Sequence, residues 1–237
     1  PNLKSAVTST PGATRGHPRA RMDVLHPALA RALEDDSCRQ LLTKITADSF
    51  SLQIFTAEAA AAITSELQRA APLPRYDLSS AELPVSERAA ATLQSKVLPA
   101  LAPLIGKHKI CSACRAYALR YTGKDANGMP DGGRTHRVHV DDCDVTLAVC
   151  LGGTWRGADL CYFEPPANGK PRPRTPDPEG SDETVVVHSH ETGVGVLHSG
   201  EAYHYVTPLE SGERYTLVVQ AMWDDGAAWK RTFLQPV

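Results

Sequence analysis

From residue 110 to residue 222 the chain is a succession of short β-forming runs separated by turn residues, and this limits the fold more than anything else in it. Strands are expected at 110–121, 138–140, 145–151, 159–163, 184–188, 193–197, 202–206 and 214–222. No helical period separates them, which argues against a βαβ sheet and for a sandwich or barrel of the jelly-roll type. Side chains at i and i+2 of a strand share a face, so Tyr117, Leu119 and Tyr121 point the same way. Residues 123–133, with Asn127-Gly128 and Asp131-Gly132-Gly133, read as a loop, as does the Pro-rich stretch 164–182.

The N-terminal half reads differently. Residues 1–20 are rich in Pro, Gly, Ser and Thr and are expected to be a disordered leader. Apolar spacings from Met22 to Leu42 suggest one or two helical pieces, and Phe50, Leu52 and Ile54 alternate as in a short strand. Thr56 is placed to cap a helix that Pro72 and Pro74 end, and a second helix is expected from about Ser86 to Leu98, with Pro99 near its exit. The expected organisation is α+β: one domain over 21–237, with a helical layer (21–106) padding one sheet of a jelly-roll core (107–237).

Just ahead of one strand stands Arg134-Thr-His-Arg-Val-His139-Val-Asp141-Asp142-Cys-Asp144-Val-Thr-Leu. An imidazole and a carboxylate two residues apart can reach one point, and they are two-thirds of the 2-His-1-carboxylate set that holds non-haem Fe(II) with open positions. A third ligand has to return from a distant strand, and His204 or His198 can supply it. Arg214 begins the next strand after an expected turn at Ser211-Gly212, and its planar fork suits a carboxylate. His136, His188 and His190 are read as non-ligands.

Tyr121, then His139-Val-Asp141-Asp-Cys-Asp-Val-Thr-Leu, then Trp155-Arg-Gly157-Ala-Asp-Leu160-Cys-Tyr-Phe, then His204-x3-Pro208-x3-Gly212-Glu-Arg214 resembles the prolyl-4-hydroxylase-like branch of the Fe(II)/2-oxoglutarate-dependent oxygenases. The resemblance covers about residues 117–223. It implies a distorted double-stranded β-helix with helices packed on one side. It also implies Fe(II) held by His139, Asp141 and His204, and the far carboxylate of 2-oxoglutarate on Arg214, with Tyr121 and Thr216 as further co-substrate contacts. The spacing to Pro208, Gly212 and Arg214 favours His204 over His198, which either lines the site or is a plain strand-end histidine, the second reading being preferred. The acidic Asp141 separates the chain from the family's halogenases, which carry a small residue there. The activity implied is hydroxylation of a protein or peptide side chain, with succinate and CO2 as co-products and ascorbate as reductant. A free amino acid or small metabolite is the alternative substrate, and a catalytically silent jelly-roll domain that binds a partner or senses metal is the alternative class.

Composition adds exclusions. A formal charge of −2 gives no field favouring nucleic acid or an anionic membrane, and no apolar run approaches a membrane span. The chain has neither a start Met nor a charged-then-apolar leader, so it reads as trimmed. Six cysteines are too few to staple a fold of this size, and a reducing compartment, cytoplasmic or nuclear, is expected. Cys111-Ser-Ala-Cys114 reads as buried free thiols, Cys150 and Cys161 fall on neighbouring strands, and Cys143 lies near the metal motif. Lys170, Arg172 and Arg174 make 164–182 locally basic, as suits a lid over an acidic or carboxylate-bearing substrate.

Overall fold

The computed structural model describes residues 24–70, 75–78, 82–106, 114–122, 137–165, 175–176 and 183–222. Helix α1 (Pro27–Glu34) opens on His26, whose Nδ1 accepts the Ala28 N–H. Strands β1 (Thr43–Lys44) and β2 (Ser49–Gln53) pair as a hairpin, and helix α2 (Ala57–Arg69) follows, capped as expected by Thr56, whose Oγ1 accepts the Ala59 N–H at 3.1 Å. After β3 (Arg75–Asp77), α3 (Pro84–Thr92) runs through a π turn (Leu93–Val97) into α4 (Leu98–Leu101) and a 3₁₀ turn (Ala102–Ile105). Pro99 does lie near the α-helical exit, which comes at Leu101, and the 3₁₀ turn carries the path a few residues further. The widened π turn displaces the carbonyl against which a proline ring would clash, and the helical path continues.

The remaining strands are β4 (Cys114–Thr122), β5 (Val145–Gly157), β6 (Leu160–Phe163), β7 (Val185–His188), β8 (Val194–Ser199), β9 (His204–Val206) and β10 (Leu209–Ala221). They form two antiparallel sheets, one ordered β1-β2-β8-β5-β10-β4-β3 and the other β7-β6-β9. β10 is the spine of the large sheet, paired with β5 on one side and β4 on the other. Its alternation sorts the molecule into layers. Tyr215, Leu217, Val219 and Ala221 join the core under the helices, whereas Arg214, Thr216, Val218 and Gln220 face the space between the sheets. A second apolar cluster, including Leu160, Tyr162, Val196, Val206 and Leu209, fills part of that space. The antiparallel two-sheet core with helices on one face matches the jelly-roll expectation.

Two hydrogen-bonded links fix the helical layer. Thr64 Oγ1 donates to Leu151 O at 2.8 Å, tying α2 to β5. The buried Glu66 carboxylate accepts Val85 N–H, Ser86 N–H and Ser86 Oγ–H at 2.9, 2.7 and 2.6 Å, so an acid of α2 caps the N-terminus of α3.

Two expectations are corrected. The 138–140 run is no strand: only His139 pairs, in a single antiparallel bridge to His204. Nor is Ser211-Gly212 a turn. Both lie inside β10, which starts at Leu209, and Gly212 pairs with Trp155 at φ 82°. A Cβ there would sit 1.8 Å from Thr154 O, so the position needs glycine to keep two backbones in contact, and the strand bulges beside it. The loop 123–133 and most of 164–182 lie outside the described residues, as do Cys111 and the leader. Cys143, Cys150 and Cys161 are free thiols. No helix among the described residues is long and apolar enough to cross a membrane.

Candidate metal centre

The His139–His204 bridge is the seed of the site. Each residue's N–H donates to the other's carbonyl at 3.0 Å, so their side chains stand on the same face, with ring centroids 4.2 Å apart. Asp141 is fixed two residues on, where its N–H donates to Gly200 O at 2.9 Å. Gly200 can sit there only without a side chain, since a Cβ would lie 1.6 Å from Cys143 O. The ligand atoms of His139, Asp141 and His204 all fall within 4.8 Å of one another.

Backbone carbonyls set the tautomers. Nδ1 of His139 meets Arg137 O at 2.7 Å, that of His204 meets Ala202 O at 2.9 Å and that of His198 meets Ser199 O at 2.9 Å. A carbonyl only accepts, so each Nδ1 carries a proton, and in the neutral ring, the form that binds a metal, Nε2 presents a lone pair. Those lone pairs face Asp141. His139 Nε2 is 3.6 Å and His204 Nε2 is 4.0 Å from Oδ1, and His198 Nε2 is 3.7 Å from Oδ2. A lone pair and a carboxylate oxygen repel unless a cation lies between them. Donors about 2.1 Å from one ion are themselves about 3–4 Å apart, which is the spacing seen. The residues fit a divalent metal.

The electrostatics agree. Burial, with His198 beside it, pushes His204 down to about 3, so it is neutral as a ligand must be. For Asp141, burial works to raise the carboxyl, but His198, His204, the Thr146 hydroxyl and His139 together hold it below its ordinary value. Thr146 Oγ1 donates to Oδ2. Oδ2 is thus engaged by Thr146 and faced by His198, leaving Oδ1 toward His139 and His204.

Further along the same cavity lies Arg214, only 1% exposed. Its Nη1 donates to Thr216 Oγ1 at 3.2 Å, and its Cζ stands 4.3 Å over the Tyr121 ring. Burial pushes the Tyr121 phenol up, and Arg214 works against that shift. Nε and Nη2, the two nitrogens of the side-on fork, are buried and meet no partner among the described residues. A buried cation offering a free two-donor edge fits a carboxylate.

The structure brings together His139, Asp141, His204, Arg214, Tyr121 and Thr216 on one cavity. It also brings in residues the motif did not include. His198, the rival candidate to His204, does stand near the end of β8 and also lines the site: it is buried, faces Asp141 and is paired across from Thr146. The signal was period-2 alternation on β8, which puts His198 on the face of Val196. His190 lines the cavity near Arg214, outside the metal group.

No protein-family model matches the sequence. The chain is 34% identical over 85 residues to 2-oxoglutarate and iron-dependent oxygenase domain-containing protein 2 of Xenopus tropicalis, covering 34% of this chain and 20% of that protein. It is 28% identical over 188 residues to the human protein of the same name, covering 72% of this chain and 47% of that one. The chain thus spans from a fifth to about half the length of these relatives. Its fold is that of a prolyl-4-hydroxylase from Phytophthora capsici (TM-score 0.58, 18% identity, 83% of this chain and 64% of that one). It is also that of a Pseudomonas putida prolyl-4-hydroxylase (TM-score 0.56, 18% identity, 86% and 99%). A prolyl hydroxylase from Trichoplax adhaerens, solved with a hypoxia inducible factor oxygen degradation domain peptide fragment, has TM-score 0.56 at 12% identity over 81% of this chain and 92% of that one. In sequence the chain is similar to 2-oxoglutarate and iron-dependent oxygenase domain-containing proteins and in fold to prolyl-4-hydroxylases, in line with the resemblance its sequence carries.

Proposed function

We propose that the chain is an Fe(II)- and 2-oxoglutarate-dependent dioxygenase that hydroxylates a protein or peptide side chain. The observation that carries this reading is the unmet Nε/Nη2 edge of the buried Arg214, on the same cavity as the converging His139, Asp141 and His204. When bound, Fe(II) and 2-oxoglutarate supply the oxidising chemistry, with succinate and CO2 as co-products and ascorbate as reductant. His139 Nε2, Asp141 Oδ1 and His204 Nε2 hold the metal. The Arg214 fork holds the distal carboxylate of the co-substrate, with Tyr121 and Thr216 beside it. Thr146 orients Asp141 through Oδ2. Leu119, Ala148, Leu160, Val206 and Val218 supply the apolar part of the cavity wall.

The peptide substrate is supported by the likeness to the Trichoplax enzyme, whose structure holds a peptide. The test is succinate formation from 2-oxoglutarate with Fe(II) and ascorbate, followed by a peptide library read by mass spectrometry for products one oxygen atom heavier. Succinate from the wild type but not from His204→Ala, with a peptide product, supports the reading. Oxygen gain on free amino acids but no peptide replaces the substrate class. Equal succinate from both proteins, or none from either, sinks the enzyme reading in favour of a silent binding domain.

A further inference from the structure

The cavity holds a second orphan. His190 lies between β7 and β8, and its Nε2 is buried with no hydrogen-bond partner among the described residues. Its placement has a backbone cause. Gly193 N–H donates to Cys150 O at 2.8 Å, which ties this connection across β5. Gly152 lacks the Cβ that would press within 3.0 Å of Thr192 Oγ1, so the connection lies close on β5 next to Gly153, the residue paired with Arg214. Burial first, then the charge of Arg214 and the neighbouring His188, hold the imidazole well below its ordinary pKa. It is neutral, and one of its nitrogens carries a hydrogen.

Buried polar atoms without partners are few in folded proteins; among the described residues they stand on Tyr162, His188, His190 and Arg214, and of these His190 and Arg214 line one cavity, which calls for a common complement. A carboxylate offers about four acceptor positions, of which the Arg214 edge takes two. We propose that His190 is a co-substrate-binding residue whose Nε2–H donates to the distal carboxylate of 2-oxoglutarate, beside the Arg214 fork. This rests on the functional reading above and adds a residue that the His-x-Asp, His and Arg pattern does not contain.

The test is calorimetric and needs no turnover. The full chain, loaded with Mn(II) under nitrogen, is titrated with 2-oxoglutarate and with 2-oxopentanoate, in which a methyl group replaces the distal carboxylate. His190→Phe fills the space without a donor, His190→Asn keeps polarity but falls short of the Nε2 position, and His190→Gln sets an amide nitrogen near it. Phe and Asn are expected to weaken 2-oxoglutarate by about tenfold or more, the worth of one hydrogen bond to a charged group. Gln is expected to stay within about threefold of the wild type, and 2-oxopentanoate and Mn(II) affinity should not change. Should the Phe variant fail to fold, Asn against Gln carries the comparison. Wild-type affinity in the Asn variant overturns the proposal, as does an equal loss of both oxo acids. A wild type that binds no 2-oxoglutarate overturns the proposed function and this assignment with it.

Discussion

Replacing Arg214 by Met is expected to stabilise the unliganded protein while removing its response to 2-oxoglutarate. The guanidinium is 1% exposed and receives little in return for its lost hydration: one well-formed hydrogen bond, to Thr216 Oγ1, and the face of Tyr121, with weaker contacts to the Tyr121 hydroxyl and the Cys150 thiol. The hydrogen bond to Thr216 and the ring face contribute about 1 kcal/mol each. Against them stand two buried donors without partners, at about 1–3 kcal/mol apiece. A flexible thioether keeps much of the apolar contact and has no donor to leave unmet. The difference favours the variant by about 0–4 kcal/mol, which for a chain of this size raises Tm by up to roughly 15 °C. The wild type, saturated to about a hundred times Kd, recovers about 2.7 kcal/mol from the ligand, and the variant recovers none. Thermal unfolding of both metal-loaded proteins, with and without 2-oxoglutarate, measures all four states. A variant less stable than the wild type by more than about 1 kcal/mol without ligand would refute the reasoning, because Arg214 would then be a structural residue.

Other expectations follow from the metal end of the cavity. His139→Ala, Asp141→Ala and His204→Ala should each abolish metal retention and turnover, whereas His198→Ala, which removes a group that faces Oδ2 and packs beside His204, should lower metal affinity by about 10–100-fold, as measured by chelator competition. Gly200→Ala should release Asp141, because its Cβ would run into Cys143 O; metal affinity should collapse before the fold does, which titration and circular dichroism separate. His190 is held well below its ordinary pKa, so in acid the unfolded chain binds a proton there that the folded one refuses. Its contribution to stability is therefore full above about pH 6.5 and is lost as pH falls below it. His190→Gln should cut the acid slope of metal-free stability by about 1.4 kcal/mol per pH unit in urea titrations.

What was legible in the sequence was whatever depends on local period. The alternation of β10 already separates Arg214 and Thr216 from Tyr215 and Leu217, and the alternation of β4 sets Tyr117, Leu119 and Tyr121 on the cavity. The two-residue spacing of His139 and Asp141 brings them together, although through a bridge and a clamped loop and not through the strand expected at 138–140. Residues that depend on long-range packing were not legible. His190 stands on a connection that Gly193 N–H ties to Cys150 O of a strand far away in sequence, and no pattern near His190 records that. Gly212 reads locally as a turn, and only its contact with Thr154 O shows that it is a strand residue pressed against another strand.

The single bridge at His139 makes the metal end of the cavity lopsided. His204 stands in a strand that also pairs with β6 and has an 8% exposed side chain, whereas His139 is 36% exposed and rests on two backbone hydrogen bonds. A metal joining the two would act as a clasp, pinning the His139 arm to the wall of the barrel. Its escape would then be timed by the unzipping of that bridge and of the adjoining Asp141 N–H to Gly200 O bond, a local event far easier than unfolding the sheet. The His139 and His204 amides would exchange with solvent slowly when the clasp is shut and quickly when a chelator has opened it, while the amides of β10 stay protected throughout.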